Sequence, residues 1–283
     1  MRRFGFAALA AFAMGGASAA WADQPVERGI DFQPAATPAM AHIHSFHAFV
    51  LPIITVISVF VLALLLWVVI RYNRKANPTP RMFTHNMLVE VIWTIVPVLI
   101  LVAIAWRSFP LLYEQERAPP AALTIKVVGN SWFWQYEYQD LGVTVASNRL
   151  PEEEARAQSR PNLLAVDNPI YVPVGENVSV LITSNDVIHS WTVPAFGVKQ
   201  DAIPGRVNQG WFNVDRPGIY YGQCSELCGI NHAYMPIEVR AVSREEFDRW
   251  VVSQGGTLAD AAPAAAQPAP APSAPAAGAS PTR

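Results

Sequence analysis

Two long apolar runs and one alternating stretch divide the chain. Phe46 to Ile70 carries no charge over 25 positions and shows no polar face at helical spacing. Val91 to Trp106 is also uncharged, and apolar flanks extend it from Met87 to Tyr113, interrupted by Glu90 and Arg107. About 20 residues of helix cross the hydrocarbon core of a bilayer. The pattern therefore predicts transmembrane helices over residues 46–71 and 88–113, joined by a loop at 72–87. From Glu114 to Leu258 the period shortens to two. The runs LTIKVVG, SWFWQYEY, NVSVLITS, GWFNV, GIYYG and PIEVRAV are separated by Pro and Gly, which predicts an all-β sandwich or barrel. Ser243 and Glu246 form a capping box before FDRWVV, so a short helix is expected to close that domain.

The ends of the chain read differently. Residues 1–22 have a basic start at Arg2 and Arg3, an apolar stretch from Phe4 to Met14 and an A-x-A site at 20–22, the pattern of a cleaved export signal. That leaves residues 23–45 as an external N-terminal segment. Residues 259–283 are Ala/Pro-rich with almost no apolar bulk, a composition expected of a disordered tail. Arg71, Arg74, Lys75 and Arg81 lie between the two apolar runs, with no acid before Glu90. The positive-inside rule puts that loop in the cytoplasm and both mature termini outside, as the export signal also requires.

Charge narrows the partners. The formal net charge of −2 gives no reason to expect nucleic acid. Residues 114–258 hold 17 acidic and 11 basic side chains, a net of −6 that suits a basic partner or simply solubility.

The chemistry concentrates in CSELCGINHAYMP, residues 224–236, which holds both cysteines of the chain. In an exported domain a cysteine pair defaults to a disulfide. His232 and Met235 within the same loop favour a metal instead. A zinc site has no use for a thioether, whereas thiolate, imidazole and thioether together suit copper. Two thiolates can bridge two copper ions, and each ion then needs an imidazole. His42, His44, His47 and His85 sit beside the apolar runs, which leaves His189 in NDVIHSW as the second one.

With these residues in place, the chain resembles subunit II of haem-copper cytochrome c oxidase, of bacterial type, over nearly all of residues 40–255. The carriers are the two helices, GNSWFWQYEY (129–138), DVIHSWTVPAFGVKQDAIPGRVNQ (186–209) and RPGIYYGQCSELCGINHAYMP (216–236). The resemblance implies a cupredoxin-like sandwich carrying the dinuclear copper A centre. Cys224 and Cys228 would bridge the metals, with His189, His232, Met235 and the Glu226 carbonyl as further ligands. The Glu226 side chain would serve a magnesium ion shared with subunit I. Trp132 would be exposed above the copper as the point of electron entry, and Glu137, Asp167 and Asp186 would dock cytochrome c. Glu90, which can also be a plain helix cap, would mark a proton-channel entrance. The resemblance further implies subunit I, subunit III and membrane lipid as partners, in a proton-pumping complex of the bacterial inner membrane. Oxygen chemistry would belong to that complex and not to this chain. Against these expectations stand a membrane-anchored copper carrier, which needs an exchangeable and usually mononuclear site, and a disulfide module without metal. Phe133 is expected to alternate into the core of the SWFWQYEY strand or to pack locally.

Overall fold

The computed structural model describes residues 22–79 and 82–258. The expected leader, apart from Ala22, lies outside the described residues, as do Arg81 and the tail at 259–283.

The first helix, α1, spans Pro38–Arg71, eight residues ahead of the apolar run. Its local start signal explains the difference. Thr37 is the N-cap, its hydroxyl accepting from Met40 N–H at 3.0 Å, and Pro38 fills the first turn, where no N–H is missed. The Thr37 hydroxyl also donates to the Phe196 carbonyl at 2.8 Å, which pins this end of α1 to the β domain. The second helix, α2, spans Met87–Glu116, with Asn86 accepting from Val89 N–H at 3.3 Å as its cap. The two helices pack as a hairpin. Both are long and apolar enough to cross a membrane.

The β domain is two packed sheets. The first has strand order β5 (Ile170–Pro173), β11 (Pro236–Val242), β10 (Gly218–Cys224), β7 (His189–Val193) and β8 (Val198–Ala202), with β1 (Ala22–Asp23) beside β10. The second has the order β4 (Val143–Ser147), β3 (Phe133–Tyr138), β2 (Leu123–Asn130), β6 (Asn177–Ser184) and β9 (Asn208–Asn213). Two-residue periodicity sends one face of each strand inward. Along β3, Trp134, Tyr136 and Tyr138 are buried, while Phe133 is half-buried on the opposite face. Phe133 is thus out of phase with the core positions of its strand. Helix α3 (Glu152–Ala157) lies in the β4–β5 connection, and α4 (Arg244–Ser253), behind a Ser243 cap, is the last element among the described residues.

Residues before α1 bind the sandwich as a strap. Ala22–Asp23 pairs in parallel with Ile219–Tyr220, Arg216 contacts Asp23 at 2.9 Å, and Ala36 N–H donates to the Ala195 carbonyl at 2.9 Å. The hairpin, the strap and the sandwich therefore meet at one end of the helices.

Candidate metal centre

The cysteine loop is shaped by its neighbours before any metal enters. Cys224 ends β10 opposite Trp191 of β7, which brings His189, two residues before Trp191, to the same end of the sheet. The loop closes where Cys224 N–H donates to the Met235 carbonyl at 3.2 Å, and Ser225 N–H donates to the Ser190 carbonyl at 3.0 Å. A single 3₁₀ turn, His232–Tyr234, turns His232 back towards Cys228.

The donors converge. Cys224 Sγ lies 3.8 Å from Cys228 Sγ, far beyond a disulfide bond. His189 Nδ1 lies 3.9 Å from Cys224 Sγ, and His232 Nδ1 lies 3.6 Å from Cys228 Sγ. Met235 Sδ is 3.5 Å from Cys228 Sγ, and the Glu226 carbonyl accepts from the Cys224 thiol at 3.3 Å. Cys224, Cys228, Met235 and His189 are buried, and the Glu226 side chain is exposed. All six donors foreseen for copper are thus gathered at one end of the sandwich. The sulfur separation is within the reach of two metal–sulfur bonds of about 2.3 Å, and the donors are thiol, imidazole, thioether and carbonyl. The residues present fit a metal centre held by soft donors.

The two thiols are shifted in opposite directions. Burial raises the Cys224 pKa, but its contacts, led by His189, overcome this and bring it down to about 7. Burial and the adjacent Cys224 push Cys228 up to about 12. Burial alone would lower the His189 pKa, whereas Cys224 and Asp186 raise it.

Asp186 does something its sequence did not reveal. Its Oδ1 accepts from His189 Nε2 at 2.8 Å and its Oδ2 accepts from Ser131 N–H at 2.6 Å. This fixes the tautomer of His189 and leaves Nδ1 free to face the sulfur. Burial pushes the Asp186 carboxyl up, but the hydrogen bonds from His189, Val187 N–H and Ser131 outweigh it and hold the group well below the usual carboxylate range. Gly129 is a second missed participant: a Cβ there would stand 2.7 Å from His189 Cδ2, so the ring rests on a position only glycine can fill. The Asp-x-x-His spacing in DVIH and the glycine of GNSW were the available signals.

Trp132 is half-buried rather than fully exposed, its indole N–H donating to the Cys228 carbonyl at 3.0 Å. Its ring also lies against Gly229. The remaining expected residues are elsewhere. Glu137 is tied to Lys126 across β2 and β3 at 3.0 Å. Asp167 is exposed and accepts from Asn148 N–H at 2.8 Å. Glu90 lies in the first turn of α2 and accepts from Asn86 N–H at 3.3 Å, a helix-capping contact.

Residues 123–242 match the family described as cytochrome C oxidase subunit II, periplasmic domain, and residues 25–111 match its transmembrane domain. A probable cytochrome c oxidase subunit 2 of Rickettsia bellii (strain RML369-C) is 48% identical over 240 residues, covering 85% of this chain and 89% of that protein. Cytochrome c oxidase subunit 2 of Cereibacter sphaeroides is 47% identical over 252 residues, 83% of each chain. A crystal structure of the periplasmic domain of subunit II of cytochrome oxidase of Bradyrhizobium japonicum is 45% identical, covers 49% of this chain and 97% of that one, and superposes with a TM-score of 0.46. Two membrane-length helices, a β-sandwich and near-half identity over most of the sequence lead to one conclusion: the chain belongs to the cytochrome c oxidase subunit II family.

Proposed function

We propose that this chain is the electron-entry subunit of its oxidase, holding a copper A centre between Cys224, Cys228, His189, His232, Met235 and the Glu226 carbonyl. The observation that carries the reading is the convergence of two thiols 3.8 Å apart with an imidazole facing each. A copper pair held there supplies reversible one-electron chemistry. The protein's part is to prepare the place. Asp186 orients His189, the buried sulfurs keep water away, and closure of the loop by Cys224 N–H sets the spacing of the thiols.

Electrons from cytochrome c enter at Trp132 and leave towards subunit I. The indole N–H to Cys228 carbonyl contact supports this reading, because it links a partly exposed ring directly to a ligand residue. Glu137, Asp167 and the net −6 of the domain would attract the basic face of the donor. Asp186 is the weakest of the three docking candidates, since its carboxylate is already engaged by His189 and Ser131. The exposed Glu226 side chain is available for magnesium at the contact with subunit I. Glu90 at the loop end of α2 would admit protons, and subunit III would complete the complex. The chain sits in the bacterial inner membrane with the sandwich outside.

Electron paramagnetic resonance of the purified oxidase tests the centre. A seven-line copper hyperfine pattern is expected from one electron shared by two coppers. A four-line pattern would sink the reading in favour of a mononuclear copper carrier, and absence of copper would leave a thiol module.

A further inference from the structure

The two helices present matching stripes at their sandwich ends. On α1, His42, Ser45, Phe46 and Phe49 follow the i, i+3, i+4, i+7 spacing of one face, as do Arg107, Pro110, Leu111 and Glu114 on α2. All but Phe49 line a cavity of about 260 Å³. At its outer end His42 Nδ1 lies 2.8 Å from Glu114 Oε2. At its inner end the Arg107 guanidinium lies over the Phe49 ring, 4.7 Å from its centroid. Among the described residues, no carboxylate pairs with Arg107.

Depth and chemistry specify what fits. Arg107 is the first charge after the uncharged run Val91 to Trp106, and Ser45 immediately precedes the uncharged run of α1. Both therefore sit at the edge of the hydrocarbon layer, where phospholipid phosphates lie. An unpaired guanidinium at that level is costly, and a phosphate is its natural two-pronged partner. Phe46 and Leu111 make the walls apolar, which suits the glycerol and first acyl carbons of a lipid and offers nothing to a free anion. At the outer end the Glu114 carboxylate is already engaged by the His42 ring, which leaves the Arg107 guanidinium as the group in the groove without a polar partner among the described residues.

We propose that this groove binds one membrane glycerophospholipid, with Arg107 holding its phosphodiester, Ser45 donating a second hydrogen bond and the acyl chains running along Phe46 and Phe49. The lipid would then brace the helical hairpin close to where it joins the sandwich.

The test is native mass spectrometry of the assembled, delipidated oxidase titrated with dioleoylphosphatidylethanolamine. Arg107→Gln should weaken one lipid-binding event at least about tenfold, the scale of a lost charge-assisted hydrogen bond. Arg107→Lys should recover part of it, and millimolar inorganic phosphate should not compete. Equal lipid retention in Arg107→Gln overturns the proposal. So does displacement by phosphate, which would mark a free-anion site. Ser45→Ala keeps the charge and is expected to weaken the same event several-fold; unchanged retention there overturns it as well, even if Arg107→Gln fails to assemble.

Discussion

Asp186 holds two groups at once, the His189 ring through Oδ1 and the Ser131 N–H through Oδ2. In the chain it is one acid among 17 in the β domain, and only the family resemblance makes it a docking candidate. In the fold it braces His189 through Nε2 while also taking Ser131 N–H. Carboxylates that orient a metal-ligating histidine are typically worth 10–100-fold in metal affinity. Asp186→Ala is therefore expected to weaken copper binding by about that factor, measured by chelator competition on the full chain. If copper affinity stays unchanged while cytochrome c binding falls, Asp186 is a docking residue after all. The six donors themselves were legible because their residue types and loop spacing are chemically restrictive. The clamp was not, because a carboxylate three residues before a histidine is common, and only the turn at Ser184–Val187 aims one at the other. Gly129 stayed hidden for the same reason: its demand comes from a ring 60 residues away.

At the level of elements, β3 gives a prediction with a defined sign. Tyr136 and Tyr138 are buried on the inner face of that strand, and burial raises both phenol pKa values above the ordinary value near 10, despite the contact of Tyr136 with Trp191 and of Tyr138 with Tyr171. The folded chain thus keeps these protons to higher pH than the unfolded chain does. Their contribution to stability is complete below about pH 10 and is lost as pH rises beyond it, at about 1.4 kcal/mol per unit for each tyrosine. Denaturant midpoints recorded from about pH 9 to 11.5 should fall, and Tyr136→Phe should flatten that fall. The same midpoint for both chains at every pH would remove the explanation. A different device anchors the β4–β5 connection. Glu238 of β11 is fully buried, accepts from Val166 N–H at 3.2 Å and pairs with both Arg160 and Arg240. Removing one partner of a buried pair strands the other charges, so Glu238→Gln is expected to cost about 3 kcal/mol in chemical denaturation. Neither the phase of β3 nor this bridge could be read from the chain. Alternation fixes that one face is inward but not which, and Arg160 meets Glu238 only through a pairing 78 residues apart. Helix α1 also began earlier than its apolar run, because Thr37 and Pro38 set its start and hydropathy does not.

The whole molecule is a helical hairpin locked to a sandwich at one end, and its orientation follows from those locks. Residues before α1 pair with β10 through Ala22–Asp23, Thr37 binds Phe196, and the end of α2 binds β9 where Trp211 Nε1 donates to the Glu114 carbonyl at 3.2 Å. His42 and Glu114 tie the same ends of the two helices to each other. The opposite end of the hairpin, with Arg71, Arg74 and Lys75, is thereby carried away from the sandwich by the full length of α1, about 50 Å for 34 residues. A 30 Å hydrocarbon layer fits within that length, so a hairpin that spans it puts the basic loop and the cysteine loop in opposite compartments. The lysine and arginine count of the loop predicts that it lies in the cytoplasm. A cysteine placed at Asn77 should accordingly resist a membrane-impermeant maleimide in intact spheroplasts and react in inverted membrane vesicles. One placed at Ser253, on the exposed end of α4, should show the reverse. Labelling of Asn77→Cys from outside would invert the topology and put the thiol loop in the cytoplasm, out of reach of an external cytochrome. Labelling of both sites from one side would mean that the hairpin does not span the bilayer, and the apolar surface of both helices would then need a protein partner to cover it.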